Sequence, residues 1–312
     1  MAILSKRVLV TGGGGFIASH VVDRLSALGH EVTVFDDLST GDRANVASGI
    51  HLVEGSINDA DVLNRLFREF SPQWVSHHAA QVSVAQSAEN PLHDANVNVL
   101  GSIQLLEACR RHGIEHLTFS STGGALYGNP DTVPCDEDTV VRPTSPYGGA
   151  KSAVEGYLRV YRATWGIKSV ALRYANVYGP RQSPHGEAGV VAIFAGKMLA
   201  QEQPILFGTG GQQRDFIYVA DVVEANLLAM EQQLEGAYNV GTGIGSSVNQ
   251  VVEALRRACG YTGPLARLPE RPGEVQRIAL DATRFTQATG WRPKTSLEEG
   301  IQQTVDSLRA AN

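Results

Sequence analysis

Tyr147 and Lys151 stand four residues apart in Ser145-Pro146-Tyr147-Gly148-Gly149-Ala150-Lys151, at the start of an apolar-periodic stretch. On a helix this spacing places a phenol and an ammonium on one face, one turn apart. A phenol is a poor base at neutral pH, with an ordinary pKa of about 10. A fixed cation beside it stabilises the phenolate and lowers that value, so the phenol can exchange a proton with a substrate hydroxyl. Taken alone, the pair also describes a solvated helix face. A second feature makes it specific: the run Thr11-Gly12-Gly13-Gly14-Gly15-Phe16-Ile17-Ala18. Glycines there let the backbone turn tightly and approach a pyrophosphate, which rests on the positive end of the following helix. Together the two features point to redox chemistry on an alcohol.

The elements that must position these groups alternate along the first half of the chain. Arg7–Val10, Val32–Phe35, His51–Val53, Trp74–Ser76, Leu117–Ser120 and Ser169–Arg173 read as six strands. The spacing predicts helices from the glycine turn to Gly29, over about 60–70 and 96–111, and from Tyr147 to about Trp165. This order predicts an α/β fold, a doubly wound parallel Rossmann sheet covered on both faces, with a smaller C-terminal substrate-binding lobe. Further on, a helix near 190–201, a short run Ile205–Phe207, a helix capped by Asp221 through Met230 and a strand Tyr238–Val240 are expected. The cofactor-binding unit is expected over 1–175 plus about 215–245, and the substrate lobe over 176–214 and 246–312.

Asp36 ends the second strand about 20 residues past the glycines, where an acid binds ribose hydroxyls and repels a 2′-phosphate. NAD is therefore favoured over NADP. Asp37 is a second candidate for that role, and Arg43 reads as a solvated loop arginine. Ser120-Ser121-Thr122 lies past the fifth strand, at the carboxyl edge where such sheets bind ligands. A hydroxyl there could orient the alcohol that Tyr147 deprotonates, and turn chemistry before Gly123-Gly124 explains it equally well.

As a set, these residues resemble the extended short-chain dehydrogenase/reductase superfamily and, within it, the UDP-glucose 4-epimerase-like sugar-nucleotide epimerases. The motifs run nearly the whole chain: Thr11 to Ala18, Asp36-Asp37-Leu38-Ser39-Thr40-Gly41, His78-Ala79-Ala80-Gln81, Asn98-Val99-Leu100-Gly101, Ser121 to Gly128, Tyr147-x-x-x-Lys151, Arg173 to Arg181, Arg214-Asp215-Phe216 and Arg271-Pro272-Gly273-Glu274. The resemblance implies Tyr147 as acid/base, Lys151 as its partner and ribose ligand, and Thr122 as the hydroxyl that aims the sugar 4-OH. It implies NAD held by Gly12, Gly15, Phe16, Ile17, Asp36, Asp37, Ser39, Thr40, Gly41, Ser56, Ile57, His78, Ala79, Ala80, Asn98 and Tyr174. The same resemblance implies a UDP-sugar held by Asn176, Val190, Phe207, Arg214, Arg271 and Glu274, since guanidinium groups suit a diphosphate. Arg214 could instead pair with Asp215 or Glu274. Relatives usually carry an aspartate where Ser56 stands.

Dehydratases and decarboxylases of the superfamily place a carboxylate shortly after the Ser/Thr, and here Gly123-Gly124-Ala125 follows Thr122. This favours C4 epimerisation through a 4-keto sugar, with UDP-glucose/UDP-galactose as substrates. Ile278, seven places after Arg271, corresponds to the family's gate for a C2 N-acetyl group and leaves UDP-GlcNAc/UDP-GalNAc and UDP-glucuronate open. A dehydratase or reductase, and a non-catalytic NAD sensor on the same fold, are the other readings. The resemblance also implies a homodimer packed through the helices near 100–110 and 147–163.

The bulk composition narrows the partners. The 312 residues are 43% hydrophobic and 19% charged, with a net charge of -6 and no basic block. Nucleic acid is therefore not the expected partner. No apolar run is long enough to span a bilayer, and a strand pattern begins almost at once, so a cytoplasmic protein is expected. Cys109, Cys135 and Cys259 have neither an even count nor metal-ligand spacing, and reduced thiols with no metal site are expected. His77 and His78 are expected to line the cofactor cleft or to pack.

Overall fold

The structure, a computed structural model, describes residues 5–184, 189–270 and 275–311. Its centre is a seven-stranded, wholly parallel sheet of β1 (Arg7–Thr11), β2 (Glu31–Asp36), β3 (His51–Glu54), β4 (Trp74–His77), β5 (His116–Thr122), β6 (Ser169–Tyr174) and, from far along the chain, β10 (Gly236–Val240). The spatial order is β10-β6-β5-β4-β1-β2-β3. The order reverses between β1 and β4, and in such sheets the crevice beyond the carboxyl ends at that point is the ligand site.

Both faces are covered, which is why the strands read as near-continuous apolar runs. Val8 and Val10 of β1 belong to one core, while Leu9 between them belongs to the other. One face carries α2 (Ala60–Phe70), α5 (Ser102–His112) and α7 (Pro146–Trp165); the other carries α1 (Phe16–Ala27) and α9 (Val219–Glu231). Two short helices, α3 (Val84–Glu89) and α4 (Pro91–Ala95), pack against α7, and a π-helical turn over Asn96–Gly101 leads into α5. The continuous helix expected over 96–111 is thus two pieces.

α7 is specified locally at both ends. The Ser145 hydroxyl accepts the Gly148 amide at 3.2 Å, Pro146 occupies the first turn, and Gly166 closes the helix at φ 71°. Val154, Leu158 and Tyr161 bury its inner face, each contributing about 1.5–3 kcal/mol by burial. Gly148 is required by a close approach, since a Cβ there would stand 2.6 Å from the Ala125 carbonyl oxygen in α6 (Gly123–Leu126).

The remaining chain builds a second body of small sheets and helices. β7 (Asn176–Tyr178), β9 (Gln213–Tyr218) and β11 (Gly245–Ser247) form a three-stranded sheet, and β8 (Ile205–Phe207) pairs with β12 (Ala266–Leu268). α8 (Val190–Leu199), α10 (Val248–Cys259) and α12 (Leu297–Ala311) pack around them, with α11 (Thr283–Thr289) beside β10. Asp221 does not cap α9, which begins two residues earlier at Val219. Its carboxylate instead accepts the amides of Lys294 and Thr295 at 3.0 and 3.1 Å, pinning the segment that precedes α12. Among the described residues no helix is long and apolar enough to cross a membrane, and no group of three His, Cys, Asp or Glu could hold a metal. All three cysteines are free and buried.

Candidate active site

The glycine turn links β1 to α1 at the switch point. Gly12 sits at φ 71°, a conformation open to glycine, and a Cβ on it would meet the Ala79 amide nitrogen at 2.6 Å. The turn therefore lies directly against the backbone that leaves β4 at His78-Ala79-Ala80. Gly15 ends the turn as the N-cap of α1, which Phe16 and Ile17 open with no side-chain cap on its first amides.

Asp36 closes the cradle from β2. Its carboxylate accepts the Gly14 and Leu38 amides, both at 2.8 Å. Burial pushes its pKa up, and the two amides pull it back. Asp37 points into its own loop, accepting the Ser39 amide and hydroxyl at 3.0 and 2.6 Å. Of the two acids, only Asp36 touches the glycine turn. Ser39 and Thr40 are exposed, and Gly41 packs on Gly14, where a Cβ would stand 3.0 Å from its carbonyl carbon. Arg43 forms an exposed ion pair with Glu54 at 2.6 Å. Ser56 is half-buried beside the core residue Ile57, which packs on Gly101.

The far wall is a satisfied polar network. Asn98 accepts the Gln81 amide at 2.9 Å and donates to the Gln81 carbonyl and Asp94 carboxylate, each at 2.9 Å. The buried asparagine thus shapes the loop after Ala80. His77 is fully enclosed between the Thr11 and Ser102 hydroxyls at 2.7 and 3.0 Å. His78 stacks on Tyr174 with ring centroids 6.5 Å apart. Burial and the Lys151 charge drive the His78 pKa down to about 3, so it is neutral at physiological pH. Tyr174 in turn donates to Asn226 at 2.9 Å.

Tyr147 and Lys151 lie on the crevice face of α7, with the ammonium 5.8 Å from the phenol ring centroid. Lys151 is 4% exposed, donates to the Ser120 carbonyl at 2.8 Å, and lies 4.7 Å from the Phe119 ring centroid. Burial lowers its pKa to about 8, opposed by the Asp94 and Glu155 carboxylates. The Tyr147 pKa moves up, driven first by burial and then by Asp94, although part of the ring remains accessible. The expected lowering of the phenol pKa by Lys151 is therefore not expressed in this state. The reason is physical: desolvation opposes the phenolate, and the Asp94 carboxylate adds to it.

Thr122 ends β5 beside Tyr174 in register, and its hydroxyl accepts the Ala125 amide at 3.3 Å as the cap of α6. The turn reading of Thr122 therefore holds, and a capping hydroxyl oxygen still keeps its own proton to donate. A Cβ on Gly124 would find the Asn176 amide oxygen at 3.7 Å and the Thr122 hydroxyl at 3.9 Å. The structure therefore brings Thr122 and Asn176 to one place, and α6 carries no ionisable side chain there. Val190 starts α8, Phe207 ends β8, and Arg214 lies on β9, donating to the Gln213 carbonyl at 2.9 Å. Arg271 and Glu274 lie outside the described residues. Ile278 is 2% exposed within the core that includes Tyr127 and Leu280.

Sequence reasoning missed Asp94, Glu155 and Arg173 at this site. The signal was present for Glu155, four residues past Lys151 on the same helical face.

A glycine cradle, a buried acid at the end of β2 that holds it, and a Tyr/Lys pair beside the carboxyl edge define a dinucleotide-dependent protein of the short-chain dehydrogenase/reductase type. The NAD dependent epimerase/dehydratase family model matches residues 8–241, and the chain belongs to that family. It is 43% identical to the UDP-glucose 4-epimerase of Mycolicibacterium smegmatis over 97% of this chain and 98% of that protein. The UDP-glucose 4-epimerase of Thermotoga maritima with UDP-glucose superposes with a TM-score of 0.96, at 46% identity and 98% and 99% coverage of the two chains. That of Thermus thermophilus in complex with NAD gives a TM-score of 0.94, at 49% identity and 98% and 100% coverage.

Proposed function

We propose that this protein inverts C4 of a UDP-sugar, with UDP-glucose and UDP-galactose as the pair interconverted. The observation that carries this is the place where Thr122 and Asn176 meet, bordered by Gly124 and free of ionisable groups on α6. A 4-keto sugar held there meets proton-transfer groups at O4 and no acid on α6 to drive elimination.

The cradle fits NAD: Gly12, Gly15, Phe16 and Ile17 would take the pyrophosphate, Asp36 the adenosine ribose, and Lys151 the nicotinamide ribose. His78 to Ala80, Asn98 and Tyr174 would line the remainder, with Ser39 to Gly41 and Ser56-Ile57 at the adenosine end. When bound, NAD supplies a hydride acceptor and then donor at the sugar carbon, with no net redox change. As the phenolate, whose charge Lys151 would compensate, Tyr147 would take the O4 proton and then return it as the phenol, and Thr122 would orient O4. Arg214 and Arg271 would pair with the diphosphate, and Asn176, Val190, Phe207 and Glu274 would hold other parts of the UDP-sugar, leaving the sugar free to present its other face. Residues 1–175 with 215–245 serve the cofactor, and 176–214 with 246–312 serve the substrate.

Incubating the protein with UDP-galactose should yield UDP-glucose at the equilibrium ratio. A panel with UDP-GlcNAc, UDP-GalNAc and UDP-glucuronate ranks the C2 and C6 requirements. Turnover of none of the four rejects the reading.

Exposed apolar side chains on adjacent elements, Leu100 at 52%, Tyr157 at 39% and Val160 at 51%, support a homodimer through the helices near 100–110 and 147–163. Sedimentation equilibrium should return twice the chain mass; the mass of a single chain at micromolar concentration would exclude it. Buried free thiols also suit a cytoplasmic protein, which cell fractionation checks.

A further inference from the structure

Behind Thr122 lies a buried ion pair that the proposed chemistry does not use. Arg173 on β6 grips Glu155 on α7 with both arms of its guanidinium, at 3.0 and 2.7 Å, and the two side chains are 6% and 4% exposed. Glu155 accepts one more hydrogen bond, from the Ser121 hydroxyl at 2.7 Å. Arg173 also donates to the Tyr127 hydroxyl at 2.8 Å, and Tyr127 donates to Asn239 on β10 at the same distance. The network therefore ties four elements together around the residue that precedes Thr122.

The geometry gives this network a direction. Tyr147, Lys151 and Glu155 follow one another at four-residue spacing on one face of α7. Ser121 and Arg173 are cross-strand partners, and so are Thr122 and Tyr174. Fixing Ser121 to Glu155 thus fixes the strand end bearing Thr122 against the helix bearing Tyr147 and Lys151. From the other side, Leu280 covers Gly123, and its amide is held by the buried Asp215 carboxylate at 3.1 Å. A buried ion pair adds little net stability over apolar packing, so its value here is placement.

We propose that Glu155, oriented by Arg173, is a positioning residue that acts through Ser121 to set the Thr122 hydroxyl against Tyr147. This rests on the epimerase reading of the site and deepens it. The contact adds no group to the reaction; it removes freedom from one that reacts, and small misplacements of such groups cost rate.

Glu155→Gln is a poor test, because Arg173 would be left a buried charge without its anion and the fold would fail first. Ser121→Ala removes only the link. In the full-length protein with NAD bound, kcat for UDP-galactose should fall about tenfold, with KM and bound cofactor within about twofold. In a Thr122→Ala background, the same substitution should change kcat less than about twofold, because its target is gone. An unchanged kcat in Ser121→Ala overturns the proposal, and so does an equal fall in both backgrounds. A wild-type protein without turnover fails earlier and differently, rejecting the epimerase reading on which the proposal stands.

Discussion

Tyr147→Phe lowers kcat by about 10²–10⁴-fold, the range supplied by a positioned acid/base, while the protein stays folded and retains NAD. Only the hydroxyl is lost. The ring keeps its packing, the Tyr147 amide keeps its 3.2 Å bond to the Ser87 hydroxyl, and Lys151 keeps its bond to the Ser120 carbonyl. KM should move little, since on the proposed reading the substrate is anchored through its nucleotide diphosphate. The check pairs steady-state rates on UDP-galactose with nicotinamide released on denaturation. A variant within threefold of wild-type kcat would take the proton-transfer role away from Tyr147.

Gly12→Ala acts on the cofactor instead. At φ 71° an alanine costs about 1–2 kcal/mol in backbone strain, and its Cβ would lie 2.6 Å from the Ala79 amide nitrogen and 2.9 Å from the Ala79 Cα. Backbone cannot rotate away as a side chain can, so β1 and the segment after β4 must part at the turn proposed to take the pyrophosphate. We expect NAD affinity to fall at least tenfold, corresponding to about 1.4 kcal/mol, together with a lower melting temperature. Titration of cofactor-stripped protein with NAD measures the first effect. Wild-type affinity in this variant would remove the glycine turn from the cofactor site.

The parallel sheet was legible because its strands are buried on both faces and the intervening helices carry a clear apolar period. The glycine turn and Asp36 were legible because backbone geometry and charge tie those residue types to their positions. Other features escaped for physical reasons. α3 and α4 span six and five residues, too short for a periodic signal. The π-helical turn before α5 keeps helical composition, so 96–111 reads as one helix. Asp221 has the residue type of a cap and a position near a helix start, yet its carboxylate serves amides more than 70 residues away. The electrostatics of Tyr147 turned on depth: four-residue spacing records a neighbouring ammonium, but not the desolvation or the Asp94 charge that oppose it. Glu155, Ser121 and Arg173 meet only through tertiary folding, being 34 and 18 residues apart.

The seventh strand of the central sheet reaches into the order in which the chain can be completed. β10 seals the outer side of β6 along Val170 to Tyr174, yet 61 residues, 175–235, are synthesised between them, part of the second body together with α9. Until residue 240 has left the ribosome, β6 is the sheet's margin, with a row of amides and carbonyls open to any extended strand. A product truncated before Gly236 would contain every glycine of the cradle, Asp36, Thr122 and the Tyr/Lys pair and still present that margin to its neighbours. Self-association of such fragments, rather than loss of any reacting group, is the hazard this topology builds in.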